Sequence, residues 1–163
     1  MKRILKLTLP VLAILLTACG NPQSTPPDEV TAETLPEETT GGQLEWITLE
    51  SGLRYADIVV GEGEEVQNGQ VAEMHYTGWL YDENAPEGKG TRFDSSRDQN
   101  VTLPFTMGGP GIIEGWNIGV AGMKVGGRRM LMIPPDLGYG SEGRDPIPGG
   151  ATMLFDLELV VIR

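Results

Sequence analysis

One cysteine, Cys19, and one histidine, His75, are all that the 163 residues hold of the side chains most used in metal and nucleophilic sites. A single cysteine closes no intrachain disulfide and builds no Cys-based metal site. A single histidine leaves any serine triad or zinc site dependent on one position, and alternation puts His75 in mid-strand, the setting of a packed structural histidine. Positive charge is scarce as well. Twelve Lys and Arg face 23 Asp and Glu, a net charge of −11, which argues against a surface that binds nucleic acid or anionic lipid head groups. The P-loop pattern and the spaced dinucleotide fingerprint are both missing, so Gly108-Gly109-Pro110-Gly111 reads as a turn before a helix. Residues 7–16 are apolar, but Thr8 and Pro10 interrupt them and they are too short for a permanent transmembrane helix.

What is present at that end is specific. Lys2, Arg3 and Lys6 precede the apolar run, and Leu16-Thr17-Ala18 stands directly before Cys19, the layout of a secretory signal peptide. The cysteine placed just after the small residue resembles the lipobox of bacterial lipoproteins. That resemblance implies that residues 1–18 are removed and that Cys19 is acylated as the first mature residue. The chain is then expected outside the cytoplasm, tethered to a bacterial membrane by lipid on Cys19. The other reading is an incidental thiol after a plain signal sequence, but residues 20–43 provide no core for it. Residues 1–18 carry three of the 12 basic residues and no acid, so their removal takes the net charge from −11 to −14.

Residues 19–43 form the lipidated end and an acidic spacer. Pro22, Pro26, Pro27 and Pro36 alternate with Ser, Thr and the acids Asp28, Glu29, Glu33, Glu37 and Glu38. With only Val30 and Leu35 as sizeable apolar side chains, burial cannot offset the entropy of ordering, and disorder is expected. As a coil, 20–43 would span on the order of 25–30 Å, extended further by proline and like charge.

Residues 44–163 are long enough for one domain with its own core. Strands are expected at 53–60, 70–80, 92–94, 101–107, 129–133 and 152–162, with a surface loop over 82–91. The alternation is clearest at the end, where Met153, Phe155, Leu157, Leu159 and Val161 share a face. Ile112, Ile113, Trp116 and Val120 predict one helix over 112–123. Gly115, Gly119 and Gly122 each weaken it by roughly 1 kcal/mol against alanine, so a sheet must hold it. The fold class is α+β, one antiparallel sheet over one short helix.

No catalytic nucleophile emerges, but an ordered series of short motifs does. His75-Tyr76-Thr77-Gly78, Phe93-Asp94-Ser95-Ser96-Arg97 and Leu103-Pro104-Phe105-Thr106-Met107-Gly108 are followed by Ile112-Ile113-Glu114-Gly115-Trp116. Gly119-Val120, Met123-Lys124-Val125-Gly126, Ile133-Pro134-Pro135, Gly138-Tyr139-Gly140, Ile147-Pro148 and 154–159 complete it. In order and spacing, residues 51–163 resemble the FKBP-type peptidyl-prolyl isomerases.

The resemblance implies a curved sheet of about five antiparallel strands wrapped around the helix, with an apolar pocket between them. Trp116 would floor the pocket. Tyr76, Phe93, Ile112, Ile113, Tyr139 and Phe155 would wall it, with Leu103, Phe105 and Ile147 also binding substrate. Asp94 would place a carboxylate beside it, and the Ile113 N–H and Tyr139 hydroxyl would bond peptide carbonyls. Proline-containing polypeptides are the expected partners and a rapamycin-type macrolide a possible inhibitor. The protein is expected to act as a monomer without cofactor, metal or nucleic acid. Three departures stand out: Leu103 where an aromatic is usual, a longer 79–92 segment, and a shorter 141–146 loop carrying Arg144 and Asp145.

Isomerisation of an X–Pro bond suits a site without nucleophile or metal. The barrier, roughly 18–20 kcal/mol, comes from lost amide resonance, and a site that binds the twisted amide better than either planar form lowers it. A twisted amide has less charge separation, so a water-poor apolar pocket favours it. The alternative function is a peptide-holding chaperone module on the same fold.

Overall fold

The computed structural model describes residues 44–163. The expected signal peptide, Cys19 and the expected spacer through residue 43 lie outside the described residues. The alternation that marked 70–80 forms an 11-residue strand. On its inner face Ala72 and Met74 are fully buried, and Tyr76 and Leu80 pack against the core.

In chain order the strands are β1 (Ile47–Thr48), β2 (Arg54–Val59), β3 (Val71–Tyr81), β4 (Lys89–Ser95), β5 (Leu103–Thr106), β6 (Arg128–Ile133) and β7 (Met153–Ile162). They form one antiparallel sheet in the order β1-β2-β6-β7-β3-β4, with β5 also on β3. The long β3 shares one edge between two partners: Val71 to Met74 pair with β5, and Thr77 to Tyr81 pair with β4. Its other edge pairs with β7, where Tyr76 faces Leu157 and Gly78 faces Phe155.

Two expectations for the sheet and its loops need correction. The sheet has seven strands rather than about five, because the two-residue β1 joins it and the edge of β3 is divided. The loop expected over 82–91 is shorter, since β4 begins at Lys89 after a 3-10 turn at Pro86–Gly88. Glycine and charge read locally as loop, but tertiary pairing overrides that weak preference. Gly90 lies so close to β3 that a Cβ there would sit 2.6 Å from the Leu80 carbonyl oxygen, and Lys89 Nζ lies 5.2 Å from the centroid of Trp79.

The helix α1 spans Glu114–Val120, seven residues, shorter than the expected 112–123. Ile113 is its extended N-cap (φ −66°, ψ 146°), and Ile112 precedes it. A helix this short is not stable by itself, and packing supplies what propensity lacks. Trp116 and Val120 are buried in the core. A Cβ at Gly115 would come within 2.4 Å of the Ile133 side chain, and one at Gly119 within 2.4 Å of Leu131. The glycines that weaken the helix in isolation are what lets it lie directly on β6.

Its C-terminal end is held from the same strand. Buried Arg129 donates to the carbonyls of Gly119 (2.8 Å) and Ala121 (3.1 Å) and forms a two-pronged pair with Asp57. The guanidinium thus satisfies carbonyls that a helix end leaves without internal partners.

Candidate active site

Between α1 and the inner face of the sheet lies a knot of aromatic rings. Trp116 is 2 % exposed and Phe155 4 %, and their centroids are 5.5 Å apart at 88°. Tyr76 and Phe105 meet the indole edge-on at 5.3 and 5.6 Å, and Phe93 meets Phe155 at 5.6 Å. Edge-to-face contacts of this kind add to simple burial. The rings close over β3 because Gly78 has no side chain: a Cβ there would lie 2.6 Å from Phe93 and 2.8 Å from Phe155.

Above the knot opens a cavity of about 400 Å³, within the usual range for ligand sites. Tyr76, Phe93 and Asp94 line one wall, Leu103 and Phe105 lie at the side, and Ile112, Tyr139, Arg144 and Ile147 form the far wall. Trp116 and Phe155, expected as floor and wall, do not line it, because the rings of Tyr76, Phe105 and Phe93 lie against them. They support the lining. Ile113 lies not in this cavity but in an adjoining cleft of about 390 Å³ with Glu114 and Gly138, which shares Gly111, Ile112, Tyr139 and Arg144 with the first. A further hollow by Asp57, Val60 and Lys124, about 70 Å³, contains none of the expected residues.

The strand wall is fixed by hydrogen bonds at the gap between β4 and β5, where Tyr76 has no strand partner on that edge. Ser96 Oγ accepts from the Tyr76 N–H at 2.9 Å, and Ser95 Oγ donates to the Tyr76 carbonyl at 3.1 Å. The Tyr76 hydroxyl donates to Asp94 Oδ2 at 2.5 Å, and Asp94 Oδ1 accepts from the Ser95 N–H at 2.8 Å. Burial, followed by the Asp94 hydrogen bond and charge, pushes the Tyr76 hydroxyl well above its ordinary 10.0. It therefore keeps its proton and acts as a donor. His75 turns away from the cavity, and its Nδ1 lies 3.1 Å from Ser96 Oγ.

The loop wall is built from backbone turns. Pro134 leads into a 3-10 turn, Pro135–Leu137, and the Gly143 N–H donates to the Tyr139 carbonyl at 3.0 Å. Arg144 and Ile147 exchange backbone hydrogen bonds of 2.8 and 2.5 Å, while the Ile147 side chain is buried. The Tyr139 hydroxyl and the Ile113 N–H have no protein acceptor among the described residues. Of these two donors named from the sequence, Tyr139 lines both the cavity and the cleft and Ile113 the cleft alone.

Sequence reasoning missed Pro104, Gly111 and Pro146 as lining, although each adjoins a named residue or motif. It also missed Ser95 and Ser96 as the supports of Tyr76. Their signal lies in the β3–β4 register, which no single segment encodes.

Residues 62–160 match a family model described as FKBP-type peptidyl-prolyl cis-trans isomerase. An FK506-binding protein of Neisseria meningitidis serogroup B is 44% identical over 112 residues, which cover 68% of this chain and 96% of that relative. FK506-binding protein 4 of Dictyostelium discoideum is 47% identical over 117 residues, 70% of this chain but 29% of its own length. Among solved structures, FkpA from Escherichia coli superposes with a TM-score of 0.64 at 34% identity, covering 72% of this chain and 51% of that one. The chain therefore spans well under half of the Dictyostelium protein and about half of the Escherichia coli one.

Proposed function

The chain belongs to the FKBP-type peptidyl-prolyl cis-trans isomerase family, and on that premise we propose that it isomerises X–Pro bonds of exported polypeptides. The observation that carries this reading is the cavity itself. Aromatic or aliphatic side chains stand on each wall, at Tyr76, Phe93, Leu103, Phe105, Ile112 and Ile147. The charged groups of Asp94, Arg144 and Asp145 stand among them, with hydrogen-bond donors at Tyr139 and, in the adjoining cleft, Ile113. A proline ring set against Tyr76, Phe93 and Ile112 leaves water, while the Tyr139 hydroxyl and Ile113 N–H hold neighbouring carbonyls. Held in this way, the amide twists in a medium that favours its less charge-separated form, and this is binding specific to the transition state. Asp94, oriented by Tyr76 and Ser95, sets a fixed carboxylate beside the rotating bond. No bond is made or broken covalently.

The same cavity would accept a rapamycin-type macrolide, with Leu103 and Arg144 altering the fit. The protein acts as a monomer in this reading. Its tether is the lipid on Cys19, supported by Lys2, Arg3 and Lys6, the apolar run and Leu16-Thr17-Ala18. Stable attachment needs more than one acyl chain, because a single chain binds membranes only marginally. Mass spectrometry of the mature protein should find Cys19 acylated at the N-terminus, and Cys19→Ser should leave the membrane fraction. An unmodified Cys19 or a start elsewhere refutes the anchor.

For the activity, the test is the slow proline-limited phase in refolding of an exported protein, which lasts tens of seconds. Catalytic amounts of the purified protein should shorten it. If the protein instead captures the chain one to one and leaves that phase unchanged, it is a holding chaperone.

A further inference from the structure

The described residues carry nine Lys and Arg. Six are in ion pairs: Lys89, Arg92, Arg97, Arg128, Arg129 and Arg163. Of the other three, Arg54 lies against the Trp46 ring at 5.3 Å, and Lys124 lines the small hollow beside Asp57. Arg144 is the only one of the three that lines the proposed substrate cavity, and it also lines the adjoining cleft.

Arg144 is also held in place. The paired backbone bonds with Ile147 fix its position, and its guanidinium lies 5.6 Å from the centroid of the Tyr139 ring. That guanidinium makes no ion pair with any described residue, so its donors are free. None of the nearby acids forms an ion pair with it; each keeps its own hydrogen-bond partners or stands apart. Asp94 is bound by Tyr76 and Ser95. Glu114, across the cleft, accepts from Asn117 at 3.3 Å, and Asp145 shares the cavity lining without pairing to Arg144. A guanidinium in such a site matches a carboxylate in geometry and charge.

Because Arg144 lines both the cavity and the cleft, chain that leaves a proline in the cavity by way of the cleft passes the guanidinium. We propose that Arg144 determines specificity by favouring polypeptides with Asp or Glu immediately beside the proline, a reading that rests on the isomerase assignment above. The selection is local. The domain as a whole is strongly acidic and repels an acidic peptide at long range, so the contribution of Arg144 has to be isolated from that field.

The experiment uses two pairs of peptides, identical except for Glu or Gln directly before or directly after the proline. For each pair, kcat/KM from exchange spectroscopy and Kd from titration are measured with wild-type protein, Arg144→Gln and Arg144→Glu. Lys124→Gln removes the same charge from outside the cavity, so the change in the Glu-to-Gln ratio beyond that of this control reports Arg144 alone. In at least one pair the ratio should fall about two- to fivefold in Arg144→Gln, the range of an exposed ion pair, and further in Arg144→Glu. The difference should shrink as salt is added. Ratios that stay the same in both pairs overturn the proposal. If no peptide is isomerised, the isomerase reading fails while the Kd ratios still decide the role of Arg144. The side chain is exposed, so unchanged melting of the variants is expected and is checked alongside.

Discussion

The cavity has two walls held by different means. The strand wall, with Tyr76, Phe93 and Asp94, rests on the aromatic core and on side-chain hydrogen bonds from Ser95 and Ser96. The loop wall, with Tyr139, Arg144 and Ile147, rests on backbone turns and one buried isoleucine. On the strand wall nearly every polar group has a protein partner. On the loop wall the Tyr139 hydroxyl and the Arg144 guanidinium have no hydrogen-bond or ion-pair partner among the described residues. The first wall therefore encloses and the second recognises. Substitutions on the strand wall should disturb stability and activity together, and those of Tyr139 and Arg144 on the loop wall activity or selectivity alone.

The largest effect that could break this contrast is at Phe155, which supports the strand wall from beneath. Phe155→Ala should lower unfolding free energy by roughly 3–5 kcal/mol, measured by denaturant unfolding. A loss under 1 kcal/mol would mean that the strand wall is not tied to the core. Next is Ser96→Ala, which leaves the Tyr76 N–H without its acceptor while Ser95 still serves the carbonyl. A stability loss of about 1–3 kcal/mol is expected, with kcat/KM falling alongside it.

On the loop wall, Tyr139→Phe should leave the melting temperature unchanged and reduce kcat/KM several-fold, the equivalent of about 0.5–1.5 kcal/mol for one hydrogen bond. A parallel loss of stability would erase the distinction between the walls. The smallest effect is in pH dependence. The Tyr76 hydroxyl is harder to ionise folded than unfolded, so its contribution is complete below the ordinary value of 10.0 and declines as pH rises towards the folded value. Denaturation curves from pH 7 to 11 should show this decline, and Tyr76→Phe should remove that share of it.

Much of the strand wall was legible in the sequence, because period-two alternation marks β3 and β7 and the resemblance to the isomerase family singles out Tyr76, Phe93 and Asp94. The register between β3 and β4 was not, since pairing Gly78 with Asp94 is a long-range choice that no local pattern contains. That is why the Ser95–Ser96 supports went unseen. The helix was expected too long because Ile112 and Ile113 fit its stripe, yet they serve as cavity lining and N-cap. Arg129 gave no sign that it holds the helix end, because its partners lie in two other segments. On the loop wall, Arg144 was visible only as a departure from a resembled pattern. Its freedom from ion pairs required knowing where the domain's other cations are.

The central claim is that enclosure between these walls speeds rotation of the X–Pro amide. It is tested most directly by cis–trans exchange in a short proline peptide at equilibrium, followed by magnetisation transfer with sub-stoichiometric protein. The expected result is faster exchange with the cis-to-trans ratio of the free peptide unchanged. Line broadening from binding, with exchange no faster than in buffer, would contradict the claim.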